Sequence, residues 1–259
     1  MVITNKLCRI MLAFVLLCVC FSGYSQIKQS DFQVPDVNFV NLDSTAKGVL
    51  YQEITKNPEA VIQETCLKVC RVLYRDVKEI PNVERINYTV RDYDGVSAKG
   101  GVPPVIDISF SSKYLAGNFK ETEKDSAQAL SEIVGVLSHE LTHAYQWDDG
   151  GRYGEIGGVI EGIADAVRTM LGYKDYNTKK PGGSYKDAYT TSAFFFVWIE
   201  RNIHPGFIYE LNQSMLPDDG ITWTWDQVRQ ITGTDVDELW TRYQKNMHLD
   251  TINTDKVTS

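Results

Sequence analysis

The chain has 259 residues, 43% of them apolar, and carries 34 acidic against 26 basic side chains, a formal net charge of −8. Such an acidic balance argues against nucleic acid or anionic membrane as a partner, because phosphate binding needs clustered Lys and Arg. No repeat, low-complexity tract or long charge run divides the sequence, so residues 26–259 are expected to form a single domain with two lobes.

At the N-terminus, Lys6 and Arg9 precede an apolar run from Ile10 to Cys20, and Phe21-Ser22-Gly23-Tyr24-Ser25 offers small residues for cleavage before Gln26. This pattern predicts a secretory signal peptide over residues 1–25. The run is shorter than the ~20 residues that a spanning helix needs, and neither Cys18 nor Cys20 follows the small residue of a lipoprotein cleavage site. Export without stable membrane insertion is therefore expected. Cleavage removes Cys8, Cys18 and Cys20 and leaves only Cys66 and Cys70, too few for a disulfide framework.

Asn57-Pro58 reads as a helix cap followed by a first-turn proline. Ile62, Cys66, Val69, Cys70, Leu73 and Val77 then form the apolar stripe of a helix from Pro58 to about Lys78, with both thiols in the core. Alternation of Ile86, Tyr88 and Val90 predicts a strand from Ile86 to Arg91, and a second is expected from Val105 to Phe110. Ile106 to Phe110 is the candidate cleft-edge strand, able to pair with an extended peptide, with an internal strand as the alternative.

The next helix carries the most chemistry. Leu130, Val134, Leu137, Leu141 and Ala144 form its apolar stripe, Asp125 and Ser126 its expected cap, and Gly150-Gly151 its stop. Outside the stripe stands His139-Glu140-Leu141-Thr142-His143. Residues four apart lie one turn above each other, so both imidazoles can face one tetrahedral metal ion, with Glu140 beside it as a base for water.

A catalytic zinc site takes three protein ligands and keeps one position open, so a further ligand must come from another element. A helix from Gly158 to Gly172, with Ile160, Ile163, Ala164, Val167 and Leu171 on its buried side, presents Glu161, Asp165 and Arg168 together. Glu161 is the best candidate ligand, and Asp165, one turn on, can accept the other ring N–H of a histidine, His139 by preference. The reverse assignment stays open. So does Asp149, at the position of the last ligand in H-E-x-x-H-x-x-G-x-x-H/D sites, although Gln146 here replaces the glycine that permits the sharp turn.

Beyond Gly172 helices are expected near Tyr189–Ile203, Gly206–Met215, Trp225–Ile231 and Asp235–Met247, with Thr234 and Asp237 resembling a cap for the last. The run from Phe194 to Ile199 is too apolar for a surface and should be core. Trp147, Trp223 and Trp225 are read as packed aromatics in preference to a sugar-binding platform.

The segments HELTHAYQW (His139–Trp147) and EGIADAVRTMLGY (Glu161–Tyr173) resemble the two signature segments of the basic secretory protein family, zinc peptidases of plants and microbes. Asp94-Gly95-Val96, the strand-like Ile106–Leu115, Tyr189–Phe196 and Asp237–Gln244 follow in the family's order, so the likeness runs from about Asp36 to Met247. The resemblance implies an α+β, zincin-like metallopeptidase fold of the gluzincin type. Its N-terminal lobe would hold a sheet and the active-site helix, and its C-terminal lobe would be mostly helical. It further implies Zn2+ held by His139, His143 and an acidic residue of the EGIAD segment, Glu140 as catalytic base, and a peptide or protein substrate. The acidic charge departs from the basic members that gave the family its name.

The expected activity is a secreted zinc endopeptidase, with Glu140 taking the proton of the attacking water and passing it to the leaving amine. Tyr189 is the first choice for steadying the developing oxyanion, ahead of Tyr185 and His204. The alternatives are a zinc-containing binding or defence protein and an amidase or glycopeptidase acting on modified substrates. An intact Glu140 argues against the first, since a structural zinc site needs no base.

Overall fold

The computed structural model of the protein describes residues 27–119, 123–151, 155–217, 220 and 222–257; the expected signal peptide lies outside them. The architecture is α+β, a small sheet followed by a larger helical part.

Four strands, β1 (Asp36–Asn41), β2 (Arg85–Arg91), β3 (Ser97–Val102) and β4 (Val105–Ser111), form one sheet in the order β1-β2-β4-β3. β1, β2 and β4 run parallel, and β3 folds back antiparallel to β4. Parallel neighbours need a crossover, here supplied between β1 and β2 by α1 (Ala46–Ile54) and α2 (Pro58–Leu73). In register, Ile86 sits beside Ile106, Tyr88 beside Ile108 and Val90 beside Phe110, and all six are buried on the helix-covered face. On the other face Asn87 donates to Asp107 at 2.8 Å in solvent, so the pleat separates core from surface.

The expected strands at Ile86–Arg91 and Val105–Phe110 are present as β2 and β4. Ile106–Phe110, however, is not at the edge: β4 is paired on both sides, and β3 holds the border. The strand-like segment to Leu115 also stops early. Ser111 accepts the Tyr114 N–H with its hydroxyl and so caps a short helix, α3 (Ser112–Asn118).

Helix α2 begins as its cap predicts, Asn57 Oδ1 accepting from Ala60 N with Pro58 at the first turn. It ends at Leu73, short of Lys78, because Tyr74 turns extended and Asp76 with Glu79 closes a capping box on a separate turn, Val77–Glu79. Cys66 and Cys70 are free and fully buried in its core face.

The long helix α4 (Glu123–Tyr145) packs on α2, on β3 and on α5 (Gly157–Met170). It is already helical ahead of the expected Asp125-Ser126 cap. Its buried stripe starts at Ala129 and Ile133, since Leu130, at 37% exposure, points outward. Gly162 lets α5 and α6 (Tyr189–Asn202) touch. A Cβ there would stand 2.6 Å from Phe196 and 2.8 Å from Ser192.

Helices α7 (Phe207–Gln213), α8 (Asp226–Thr232) and α9 (Val236–Val257) complete the helical part. Phe194 through Ile199 are buried, as are Trp223 and Trp225, in accord with a packed aromatic core. Thr234 does not cap α9; Asp235 Oδ1 accepts from Asp237 N, while Thr234 N donates back to Thr232. Among the described residues no helix is long and apolar enough to cross a membrane.

Candidate metal centre

His139 and His143 emerge from α4 one turn apart, on the side away from its buried stripe, and Glu161 meets them from α5. His139 Nε2 lies 3.1 Å from His143 Nε2 and 3.2 Å from Glu161 Oε2, and His143 Nε2 lies 3.4 Å from the same oxygen. Donors held tetrahedrally on one ion by bonds of about 2.0 Å stand about 3.3 Å apart, so this triangle has the size a metal requires. Among the described residues Glu161 Oε2 is a buried atom whose near polar neighbours are the two histidine nitrogens of the triangle, a setting that suits a shared cation. The three side chains can hold a metal ion.

Asp165 is placed behind the cluster. Its Oδ1 lies 2.8 Å from His139 Nδ1, and its Oδ2 accepts from the Thr190 hydroxyl at 3.2 Å. With both oxygens engaged on the far side of the ring, Asp165 can orient His139, and of the two acids only Glu161 reaches the inward nitrogens. Asp149 is excluded from the cluster for a different reason. It is buried, and its Oδ2 accepts the backbone N–H of Trp223, which ties the end of α4 to the C-terminal helices.

Gln146, which the sequence reading treated only as a missing glycine, supports His143. Its amide lies 2.8 Å from His143 Nδ1, and its oxygen, as placed, is buried without a partner among the described residues. Turned so that this oxygen faces the ring, the amide accepts Nδ1–H and leaves Nε2 as a lone pair toward the triangle. Arg168, which shares a helix face with Glu161 and Asp165, donates to Glu132 at 2.7 Å; Glu132 also accepts from Tyr114. This ion pair fastens α5 to α4 beside the cluster.

Burial works against charge on the His139 ring, yet Asp165 and Glu161 outweigh it, and without a metal the ring is held up at about 9. Glu161 is half-buried, which by itself would raise its carboxyl, yet the two histidines bring it down to about 2. Glu140 differs: burial lifts its carboxyl above the ordinary range, against the pull of His139 and His143. It is 7% exposed and has the Ser97 hydroxyl of β3 at its side.

These groups line an open cleft of about 790 Å3, walled by Val96 and the Ser97–Lys99 part of β3 on one side and by Tyr189 and Thr190 on the other. Tyr189 is 55% exposed, with its ring parallel to His139 at 6.2 Å between centroids. It is held there by unusual backbone, Ala188 at φ 65, ψ −174 and Tyr189 at φ 44. The other two oxyanion candidates lie outside the cleft. The Tyr185 hydroxyl donates to Asp237, and His204 pairs with Glu210. Lys99 and Thr190 had no role in the sequence reading, having no spacing signal to mark them, and Gln146 figured there only as a lost glycine.

No curated protein and no solved structure matches the chain. A family model described as BSP, peptidase of plants and bacteria, matches residues 34–243, which takes in both helices of the cluster and the strand facing it. The chain belongs to the BSP family, the basic secretory protein peptidases.

Proposed function

We propose that the protein is a secreted, zinc-dependent endopeptidase with a zincin-like catalytic domain spanning residues 26–259. The observation that carries this reading is the triangle formed by His139 Nε2, His143 Nε2 and Glu161 Oε2, with edges of 3.1, 3.2 and 3.4 Å. Two imidazoles and one carboxylate are the donor set of catalytic zinc, and a fourth position is left to the cleft. Zinc bound there would polarise a substrate carbonyl and lower the pKa of a water molecule.

The chain's own residues supply the rest. Asp165 and Gln146 fix the two rings through their Nδ1 atoms, so that both Nε2 atoms converge. Glu140, buried and with its carboxyl raised, accepts the proton of the attacking water at its carboxylate and returns it to the departing amine. Tyr189 offers its hydroxyl to the oxygen that gains charge as the carbonyl is attacked. Among the described residues β3 has one unpaired edge, on which an extended peptide can lie alongside Ser97 and Lys99. The charged, apolar and small-residue segments before Gln26 support export.

The test is metal analysis of the purified protein together with a Glu140→Gln variant on a mixed peptide library. Stoichiometric zinc in both proteins, with cleavage in the parent and at least a hundredfold less in the variant, is expected. A variant that binds zinc and cleaves as fast as the parent would exclude Glu140 as the base. A parent without zinc would exclude the centre.

A further inference from the structure

Lys99 lies in the middle of β3 and is half buried in the wall of the cleft. Among the described residues its ammonium group makes no hydrogen bond and no ion pair; Asp148 and Glu140 act on it only through space. Of the other charged groups of the lining, Glu140 lies beside the Ser97 hydroxyl and the rest have close partners. Arg168 is paired with Glu132, Glu161 and Asp165 with His139, and Asp148 accepts from the Gly151 N–H. Burial holds Lys99 below the usual lysine range, against those two carboxylates, which is the strain of a cation without a near counter-ion.

Its position along the strand sets what can reach it. Ser97 and Lys99 point to the same side of β3, about 7 Å apart at two residues of strand rise. Ser97 stands beside the Glu140 carboxylate. An extended peptide on the β3 edge repeats at the same interval, so a group meeting Lys99 is about two residues from the bond presented to Glu140.

We propose that Lys99 recognises a substrate carboxylate in this cleft, giving preference to peptides with an anionic group about two residues from the bond that is cut. The preference rests on the peptidase reading above; carboxylate binding itself does not. The ligand chemistry is a carboxylate, supplied either by an Asp or Glu side chain or by a free C-terminus, to which a lysine offers a mobile point charge with three donors.

The experiment uses the zinc-loaded full-length protein and one peptide sequence in four forms, Glu or Gln at the position in question, each with a free or an amidated C-terminus. Values of kcat/KM are measured for the parent, Lys99→Met and Lys99→Arg. Binding of the same fluorescently labelled peptides is measured by anisotropy on Glu140→Gln with and without Lys99→Met. We expect the Glu form to be favoured about tenfold over Gln in cleavage and binding, the advantage to vanish in Lys99→Met and to persist in Lys99→Arg. An advantage that follows the free C-terminus instead identifies the terminal carboxylate as the ligand. Equal discrimination with and without Lys99→Met overturns the proposal, as does a parent indifferent to both carboxylates. If no peptide is cut but the binding advantage is present and depends on Lys99, the peptidase reading falls and the carboxylate site stands.

Discussion

Asp165 and His139 meet through the ring nitrogen that faces away from the cluster, Oδ1 to Nδ1 at 2.8 Å. This contact decides between two acids one helical turn apart. Glu161 reaches the inward nitrogens of both histidines, whereas Asp165 reaches only the outward one.

Glu161→Ala and Asp165→Ala should consequently differ in kind. If Glu161 is a ligand, its loss should abolish zinc retention through dialysis, while loss of Asp165 should weaken affinity about 10- to 100-fold and leave a measurable site. Competition against a chromogenic chelator checks both. Equal zinc affinity in Glu161→Ala and the parent would assign the third ligand elsewhere.

The metal-free protein should carry a pH signature of the same cluster. His139 is raised from 6.5 to about 9, so its contribution to stability is fully present below 6.5 and disappears as pH climbs through 9. Glu161 is lowered from 4.5 to about 2, so its contribution is present above 4.5 and disappears as pH falls through 2. Both describe one set of contacts, and the window in which it is complete is pH 4.5–6.5. With metal chelated, Tm should be highest there and decline toward pH 9; His139→Gln should flatten the alkaline decline. A chelated parent whose Tm rises between pH 6.5 and 9 would contradict this charge assignment.

Much of the centre was legible because it is local. Histidines four apart on a helix with a 3.6-residue period must share a face, and the same arithmetic grouped Glu161 with Asp165. Pro58 after Asn57 fixed one end of α2 for a similarly local reason. What escaped depends on long-range pairing. β3 contains Lys99, Gly100 and Gly101, none of which favours a strand, and it exists because β4 pairs with it. The displacement of the edge from β4 to β3 follows from that pairing. Gln146 looked like a defect when judged by loop geometry, since only the folded helix brings its amide to His143. Asp149 was a plausible ligand by spacing, but a backbone N–H from Trp223, far along the chain, claims its carboxylate.

Gly162 follows Glu161 and lies where α5 and α6 cross. Ala is favoured over Gly within a helix by about 1 kcal/mol, which on propensity alone would stabilise the protein. The added Cβ would instead stand 2.6 Å from Phe196 and 2.8 Å from Ser192, and both side chains are buried. Overpacking of this sort costs about 1–3 kcal/mol, so Gly162→Ala should be destabilising on balance. Urea unfolding measures it, and a variant more stable than the parent would mean that α6 yields easily at the crossing.

Ala188 offers the opposite trade. Its φ of 65 with ψ of −174 belongs to a region that glycine alone occupies freely, and Tyr189 follows at φ 44, so the strain falls where the chain turns into α6. Such residues cost about 1–3 kcal/mol each and persist where the surroundings hold them. Here the held conformation lays the Tyr189 ring parallel to His139 over the cleft. Ala188→Gly removes the strain but gives the unfolded chain more freedom, an entropic cost of about 0.5–1 kcal/mol that offsets part of the gain. The net expectation is a protein about 1 kcal/mol more stable, with zinc affinity unchanged because no ligand moves. If Tyr189 steadies the oxyanion, kcat should fall several-fold at nearly constant KM as the tyrosine loses its fixed position. Tyr189→Phe sets the limit of that loss, and combining it with Ala188→Gly should lower kcat no further. A further drop in the double variant would show that Ala188 acts on something other than the tyrosine.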